Sequence, residues 1–219
     1  MTPHHHPSDD TLMAYAAGAL SAGPRLVVSV HLSACAHCRE AVRAFEAVGG
    51  ALLDSAPPAA MADDALERLL ARIDAEAGLA QVVPLPSARP RAPTTPDGIP
   101  LPAALARHSI SPWRKLPDLQ WARVILADAP DANVILLRIP AGKPAPRHSH
   151  TGREFTQVVY GGFSDGRDHY GLGDLTEADQ HVDHQPLVDA EGECICLAAV
   201  EGRLRIHGVG RLLQPFIGL

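Results

Sequence analysis

The segment His31-Leu32-Ser33-Ala34-Cys35-Ala36-His37-Cys38 constrains the fold more than any other part of this 219-residue sequence. It presents one imidazole and two thiols in the pattern H-x3-C-x2-C, and residues three or four apart share one face of a helix. A helix that ends near His31, followed by a helix that begins near Cys35, would direct three ligands to one point. Mixed nitrogen and sulfur ligands in tetrahedral geometry favour Zn²⁺.

A fourth ligand is available upstream, in His4-His5-His6. Two thiolates and two neutral imidazoles cancel the charge of Zn²⁺, so a closed site of this kind can be buried, and it is structural rather than catalytic. Two simpler interpretations compete with it. The cysteines would be small apolar core residues, and the histidines would belong to a disordered terminus or to the remnant of an expression tag. The ligand spacing favours the metal.

The composition restricts the class of protein. Hydrophobic residues make up 46% of the chain, which is enough for one large or two small cores. The sequence contains neither an apolar run long enough to span a membrane nor an export signal. Its four cysteines form two close pairs, Cys35/Cys38 and Cys194/Cys196. Close pairs are typical of ligands or reactive thiols in a reducing compartment, so we expect a cytoplasmic protein without a membrane partner.

Negative charge is concentrated in the first part of the chain. Residues 1–80 hold ten acidic and five Lys or Arg side chains, and so carry five of the six net negative charges. An acidic segment does not bind nucleic acid through phosphates. It is suited to dock on a basic protein, in particular one that binds DNA.

Helical patterns fill the first 79 residues. Three helices are expected from about Ser8 to Leu20, from Pro24 to His31 and from Cys35 to Leu52. A fourth, capped by Asp63-Asp64, has an apolar stripe at i, i+3, i+4 and i+7, which consists of Leu66, Leu69, Leu70 and Ile73. Either this stripe packs onto the other three helices or it binds a partner; the sequence leaves both open.

Residues 80–104 contain seven prolines and are predicted to be an extended, semi-rigid linker. Beyond it the pattern changes to short β-rich runs separated by glycine and proline turns. The expected strands are 122–126, 133–139, 155–160, 194–200 and 204–206. The sequence therefore predicts an α+β protein of two domains. A bundle of about four helices in residues 1–79 is followed by a β-barrel or jelly roll in residues 105–219.

A second set of ligands lies in this β-rich part, in Gly142-x5-His148-x-His150-x3-Glu154-x6-Gly161. Residues i and i+2 of a strand point to the same face. His148 and His150 would therefore share a face, which Glu154 and His184 can complete. His181 is an alternative to His184 as the last ligand. It lies three residues before His184, and an odd offset places it on the opposite face of a regular strand. Three imidazoles and a carboxylate would bind Zn, Fe, Mn or Ni.

These stretches resemble two known families. Gly142 to Gly161 matches the first motif of the cupins, whereas the second cupin motif is met only partly, because Glu177-Ala178-Asp179-Gln180 replaces its usual Pro-x-Gly step. The N-terminal His-x24-His31-x3-Cys35-x2-Cys38 resembles the zinc-binding anti-sigma domain. Together they resemble the ChrR-type anti-sigma factors over nearly the whole chain outside the linker.

The resemblance implies a function. Such proteins sequester an extracytoplasmic-function sigma factor in the cytoplasm and release it under oxidative stress, for example from singlet oxygen. The helical domain contacts the sigma factor and the cupin is needed for the response. The implied ligands are His6, His31, Cys35 and Cys38 for the N-terminal zinc, and His148, His150, Glu154 and His184 for Zn²⁺ or another divalent metal in the cupin.

The leading hypothesis is thus a non-enzymatic, metal-dependent inhibitor of transcription. The alternative is a cupin metalloenzyme, a dioxygenase or isomerase with a helical appendage. Three histidines and one glutamate would suit Fe or Mn in O₂ chemistry. Against this alternative, the β-rich part has no evident arginine cluster to fix a substrate, and the N-terminal ligands would have no purpose.

Overall fold

The computed structural model describes residues 2–77 and 91–207. Helices come first and β-strands second, so the predicted α+β class and the order of its two parts are confirmed. A short 3-10 helix, Ala103–Arg107, precedes the strands. The α-helices are α1 Asp9–Ala16, α2 Ala22–Ala34, α3 Ala36–Ser55 and α4 Ala65–Ala77.

Helix α1 begins directly after Ser8, where the sequence predicts its start. The Ser8 side chain accepts a hydrogen bond from the Thr11 N–H, and Asp9 and Asp10 lie in the first turn, close to the positive end of the helix dipole. Helix α2 begins at Ala22, two residues before the expected start at Pro24. Its third position suits Pro24, because the first N–H groups of a helix have no intrahelical partner.

Within residues 91–207 the chain forms twelve short strands, and every pairing between them is antiparallel. The expected strands 133–139, 194–200 and 204–206 are found with the same bounds. The strands are β1 Ser109–Ile110, β2 Arg114–Leu116, β3 Leu119–Ile125, β4 Asn133–Ile139, β5 His148–His150, β6 Glu154–Tyr160, β7 Phe163–Ser164, β8 His169–Tyr170, β9 Leu175–Ala178, β10 Leu187–Val188, β11 Cys194–Val200 and β12 Leu204–Ile206.

The main sheet has the order β1-β3-β4-β11-β6-β9, with β2 also paired to β3. A three-stranded sheet, β10-β7-β8, and a two-stranded sheet, β12-β5, complete the β-rich part. Within residues 109–206 these three sheets enclose a cavity without closing into a continuous barrel. This cupin-like arrangement is an open form of the β-barrel or jelly roll that the sequence predicts.

The main sheet is covered on both sides, which explains why all seven residues of β11 are buried. Alternate residues point to opposite faces of a strand. One face, the cavity face, carries side chains such as Cys196 and Thr156. The other, the helix face, carries Phe155, Leu197 and others, which share one apolar core with α1 and α2.

Helix α2 approaches the helix face closely because of Gly23. A Cβ at this position would lie 3.2 Å from Val134 Cγ2 and 3.3 Å from the Ala199 Cβ. Hydrogen bonds tie the rim of this contact, where Ser21 donates to Glu201 at 2.7 Å and Arg25 donates to Asp128 at 3.2 Å. The helical and β-rich parts are therefore packed together and do not stand apart.

Part of the predicted linker is also packed. Residues 80–90 lie outside the described residues, whereas Thr95 and Leu101 are almost fully buried. The Arg138 guanidinium donates to both carboxylate oxygens of Asp97 at 2.8 and 2.7 Å, which fixes this segment to β4. Residues 91–104 therefore belong to the folded body.

Helix α4 keeps its apolar stripe largely exposed. Leu66, Leu69, Leu70 and Ile73 are between 52% and 61% accessible, so in the described residues the stripe does not pack onto the other helices. The second half of α3 is similar, with Val48, Leu52 and Leu53 exposed. Across the same residues, every helix is too short or too polar to cross a bilayer.

We expect Gly23→Val to lower the free energy of unfolding by about 1–3 kcal/mol, because a branched side chain would be forced into the contact between α2 and the main sheet. Gly50→Val on α3 is the matched control, since nothing lies within 4 Å of a Cβ at that position. Urea denaturation of the full chain measures both. Equal effects of the two substitutions would contradict the close contact.

Candidate metal centres

The four N-terminal residues predicted to bind zinc lie together. His6 Nδ1 lies 3.4 Å from His31 Nε2, 3.4 Å from Cys35 Sγ and 3.3 Å from Cys38 Sγ. His31 Nε2 lies 3.3 Å from Cys38 Sγ. All four ligand atoms are within 4.8 Å of one another.

The local fold explains this convergence. His31 lies in the last turn of α2, and Cys35 ends α2 and caps α3, where its Sγ accepts from the Cys38 N–H at 3.5 Å. The three side chains of the H-x3-C-x2-C pattern therefore meet at the junction of two helices. His6 reaches the same point from the segment before α1.

The residues present fit zinc. Tetrahedral Zn²⁺ with bonds of about 2.0–2.3 Å holds its ligand atoms about 3.3–3.8 Å apart, and the observed distances fall at the lower end of that range. His31, Cys35 and Cys38 are buried. Since two thiolates and two imidazoles neutralise the cation, burial leaves no net charge in the core.

The environment favours neutral forms of these side chains. Burial and the neighbouring Cys35 thiol raise the pKa of Cys38 to about 12. Burial lowers the pKa values of His6 and His31 below their ordinary value, so both imidazoles are neutral at pH 7. The thiolate form of Cys38 therefore depends on a bound cation, which must displace the proton from this side chain.

The β-rich part contributes to the same centre. His31 Nδ1 lies 3.2 Å from Gln157 Oε1 and 3.1 Å from the Gly173 carbonyl oxygen. The sequence did not point to Gln157, because nothing in a strand pattern marks a residue that will meet a helix 126 positions away. Gly173 and Asp174 are present in the sequence as part of an incomplete second cupin motif, and that motif does not point to the N-terminal cluster.

The other N-terminal histidines have different roles. The backbone N–H groups of His4 and His5 donate to Asp174 Oδ1 at 2.6 and 3.0 Å. The His5 ring lies between Asp174 and Asp168, and these carboxylates raise its pKa against the opposing effect of burial. This segment fastens the N-terminus to the loop before β9 and so positions His6.

The second cluster contains three of the four predicted cupin ligands in a compact group. Glu154 Oε2 lies 3.3 Å from both His148 Nε2 and His184 Nε2, which are 2.9 Å from each other. His150 Nε2 lies 3.7 Å from Glu154 Oε2, slightly outside the group. His181 is exposed and is not part of this group.

The histidine orientations fit a divalent cation. His148 Nδ1 lies 2.8 Å from the Pro146 carbonyl and His150 Nδ1 lies 2.8 Å from the Gly152 carbonyl. Because carbonyls only accept, each Nδ1 carries the proton and each Nε2 offers a lone pair to the centre of the cluster. Among the described residues His150 Nε2 has no hydrogen-bond partner although it is buried, as expected of a nitrogen that binds an ion.

Glu154 is held in its ionised form. Burial alone would raise the pKa of its carboxyl, but the adjacent imidazoles of His148 and His184 lower it well below its usual range. On the far side of His184, Asp165 Oδ2 lies 4.0 Å from Nδ1, and the side chain of Asp165 is almost fully buried. Sequence analysis did not identify Asp165, whose loop shows no motif.

This cluster opens into an apolar cavity of about 90 Å³. Cys194 and Cys196 line its wall with their Sγ atoms 3.5 Å apart, and both are free thiols. The adjacent Cys194 thiol and burial raise the pKa of Cys196, so the Cys196 thiol is protonated at neutral pH.

Two protein families match the chain. One, described as a putative zinc-finger, matches residues 9–39, and the other, described as a ChrR cupin-like domain, matches residues 103–201. The Anti-sigma-E factor ChrR of Cereibacter sphaeroides is 38% identical over 224 residues, with 99% of each chain covered. The chain belongs to the ChrR family of anti-sigma factors. Because this relative is an anti-sigma factor, the hypothesis of a regulatory protein and not an enzyme is confirmed.

Solved structures are also similar to this ChrR-family chain. The crystal structure of Rhodobacter sphaeroides SigE in complex with the anti-sigma ChrR gives a TM-score of 0.68 with 34% identity, and covers 91% of this chain and 100% of that chain. An RmlC-like cupin protein from Ralstonia eutropha gives a TM-score of 0.40 with 23% identity, and covers 47% of this chain and 68% of that chain.

We expect zinc binding to the full chain to release at least one proton at pH 7, because the raised pKa of Cys38 keeps its thiol protonated until the ion binds. Zinc affinity should accordingly fall as the pH is lowered. Titration calorimetry in two buffers of different ionisation enthalpy counts the protons. Cys38→Ser should release one proton fewer, and an unchanged count in that variant would contradict the assignment.

Proposed function

We propose that this protein sequesters an extracytoplasmic-function sigma factor in the cytoplasm and releases it under oxidative stress, with singlet oxygen as the expected agent. The main support for the proposal is the structural match to a relative solved in complex with SigE, which covers 91% of this chain. The mechanism is competition: the helical part covers sigma surfaces that would otherwise contact polymerase core and promoter DNA.

The exposed apolar surfaces of α3 and α4 support a protein partner. Four large apolar side chains in one stripe on α4 remain more than half accessible, and such contiguous patches mark interaction sites. The surrounding segment is acidic, which suits a basic, DNA-binding partner. Residues 1–79 are therefore the proposed sigma-binding part, and residues 105–219 the part that responds to the signal.

We assign the N-terminal zinc a structural role. His6, His31, Cys35 and Cys38 would hold it, thereby joining α2, α3 and the N-terminal segment at one point. Structural zinc contributes about 10–16 kcal/mol of apparent binding energy in small domains, comparable to the stability of a whole domain. Chelation should therefore disorder the helices that bind sigma.

The second centre is assigned to the response. His148, His150, Glu154 and His184 would hold Zn²⁺ or another divalent cation, whose charge stabilises the ionised Glu154 and organises the strands around it. The cluster lies on the cavity face, away from α3 and α4, so a change there need not touch the sigma-binding surface directly.

The direct test of the function is inhibition of transcription. The purified full chain should form a one-to-one complex with an extracytoplasmic-function sigma factor from the same genome. It should also block transcription from the promoters of that sigma factor in vitro. A chain that binds no such sigma factor, or binds it without inhibiting transcription, would refute the proposal.

We expect Leu69→Glu to weaken sigma binding by about tenfold or more, because a buried leucine contributes about 1.5–3 kcal/mol and a buried unpaired carboxylate opposes binding further. Glutamate is a good helix former, so α4 itself should persist. Arg72→Ala on the polar side of α4 is the control and should change affinity little. Equal effects of both substitutions, measured by calorimetry, would exclude the stripe from the interface.

We expect His148→Ala and Glu154→Gln to leave basal repression intact and to reduce induction by singlet oxygen, because each removes a ligand of the second centre but leaves the helices unchanged. Sigma-dependent transcription before and after exposure measures both quantities. Gln120→Leu, on β3 and outside both clusters, is the control. Constitutive transcription in the ligand variants would instead assign the cupin a role in holding the inhibitory helices together.

A further inference from the structure

We propose that Gln157 is a positioning residue of the N-terminal zinc centre, so that the cupin sheet completes a site whose direct ligands all lie in the first 38 residues. The inference rests on the proposed zinc centre and concerns what sets its affinity. It makes the β-rich part a determinant of zinc binding, in addition to its proposed role in the response.

The geometry around His31 fixes which ring nitrogen faces the metal. Both neighbours of Nδ1, the Gln157 Oε1 at 3.2 Å and the Gly173 carbonyl at 3.1 Å, are acceptors. Nδ1 must therefore carry the proton and donate it. Nε2 is then left with a free lone pair, directed toward Cys38 Sγ and His6 Nδ1.

The Gln157 side chain is itself held in place. Its Nε2 donates to the Val158 carbonyl at 3.2 Å, which orients Oε1 toward the imidazole. Gln157 is 2% exposed and lies on β6 between two paired strands, opposite Leu197 of β11 and Leu175 of β9. A buried amide in the middle of a sheet cannot move freely, so it fixes the plane of the His31 ring.

The polarity of this contact suits a neutral centre. A metal with two thiolates and two imidazoles has no net charge, and an amide oxygen orients the imidazole without adding any. Such outer contacts change metal affinity by about 10–100-fold when they are removed. Because the Gly173 carbonyl would still accept from Nδ1, we expect the loss of Gln157 alone to fall at the low end of that range.

The test measures metal binding in the full chain. Co²⁺ is the probe, since thiolate-to-cobalt charge-transfer absorption reports the centre that contains Cys35 and Cys38, and Zn²⁺ competition then gives the zinc affinity. A Cys35→Ser chain provides the baseline. We expect Gln157→Leu to weaken zinc binding about tenfold. Gln120→Leu, the same replacement on β3 away from the centre, should leave zinc affinity unchanged.

Gln157→Glu separates positioning from packing. A carboxylate keeps an acceptor at the same reach, so this variant should bind zinc at least as tightly as the unaltered chain. If Gln157 acted only through packing, Gln157→Leu and Gln157→Glu would both weaken zinc binding. If Gln157→Leu does not fold, the zinc affinity of Gln157→Glu alone tests the inference. Unchanged zinc affinity in Gln157→Leu, or a loss in Gln157→Glu, would overturn the inference. An unaltered chain without the cobalt–thiolate signal would overturn the zinc centre as well.

Discussion

The close packing of α2 against the helix face of the main sheet is the contact on which the rest of the molecule depends. Gly23 permits the approach at one end of the helix, and His31 occupies its other end, fully buried. The apolar core between them is shared by helices and strands. Because α2 belongs both to the core and to the N-terminal His/Cys cluster, neither can shift without the other.

The two faces of strand β6 contact the two candidate metal centres. Its first residue, Glu154, faces the cavity and the His148/His184 cluster, whereas Gln157 faces α2 and contacts His31. Alternation along a strand places residues three apart on opposite faces. The two centres are therefore on opposite sides of a single strand, separated by the thickness of the sheet and not by a flexible spacer.

The exposed stripe of α4 contrasts with this rigid body. Its four apolar side chains have no extensive contact among the described residues, whereas the equivalent faces of α1 and α2 are buried. An amphipathic helix gains most of its stability from packing. A stripe left uncovered in the free protein is consistent with a partner that covers it in the complex.

The sequence by itself determined the local part of this structure. Spacing placed His31, Cys35 and Cys38 at one helix junction, and strand parity placed His148 and His150 on one face, because both depend only on residues within a few positions of each other. Capping at Ser8 and the bounds of β4, β11 and β12 were predictable for the same reason.

Only the tertiary structure decided the remainder. The choice of His6 over His4 and His5 depends on Asp174, about 170 positions away, and the contact of Gln157 with His31 spans 126. The packing of residues 91–104, in which Thr95 and Leu101 are buried, likewise involves a distant contact, between Arg138 of β4 and Asp97. Such contacts follow from topology, in which a helix docks on a particular sheet face, and no local pattern records which distant residues that docking brings together.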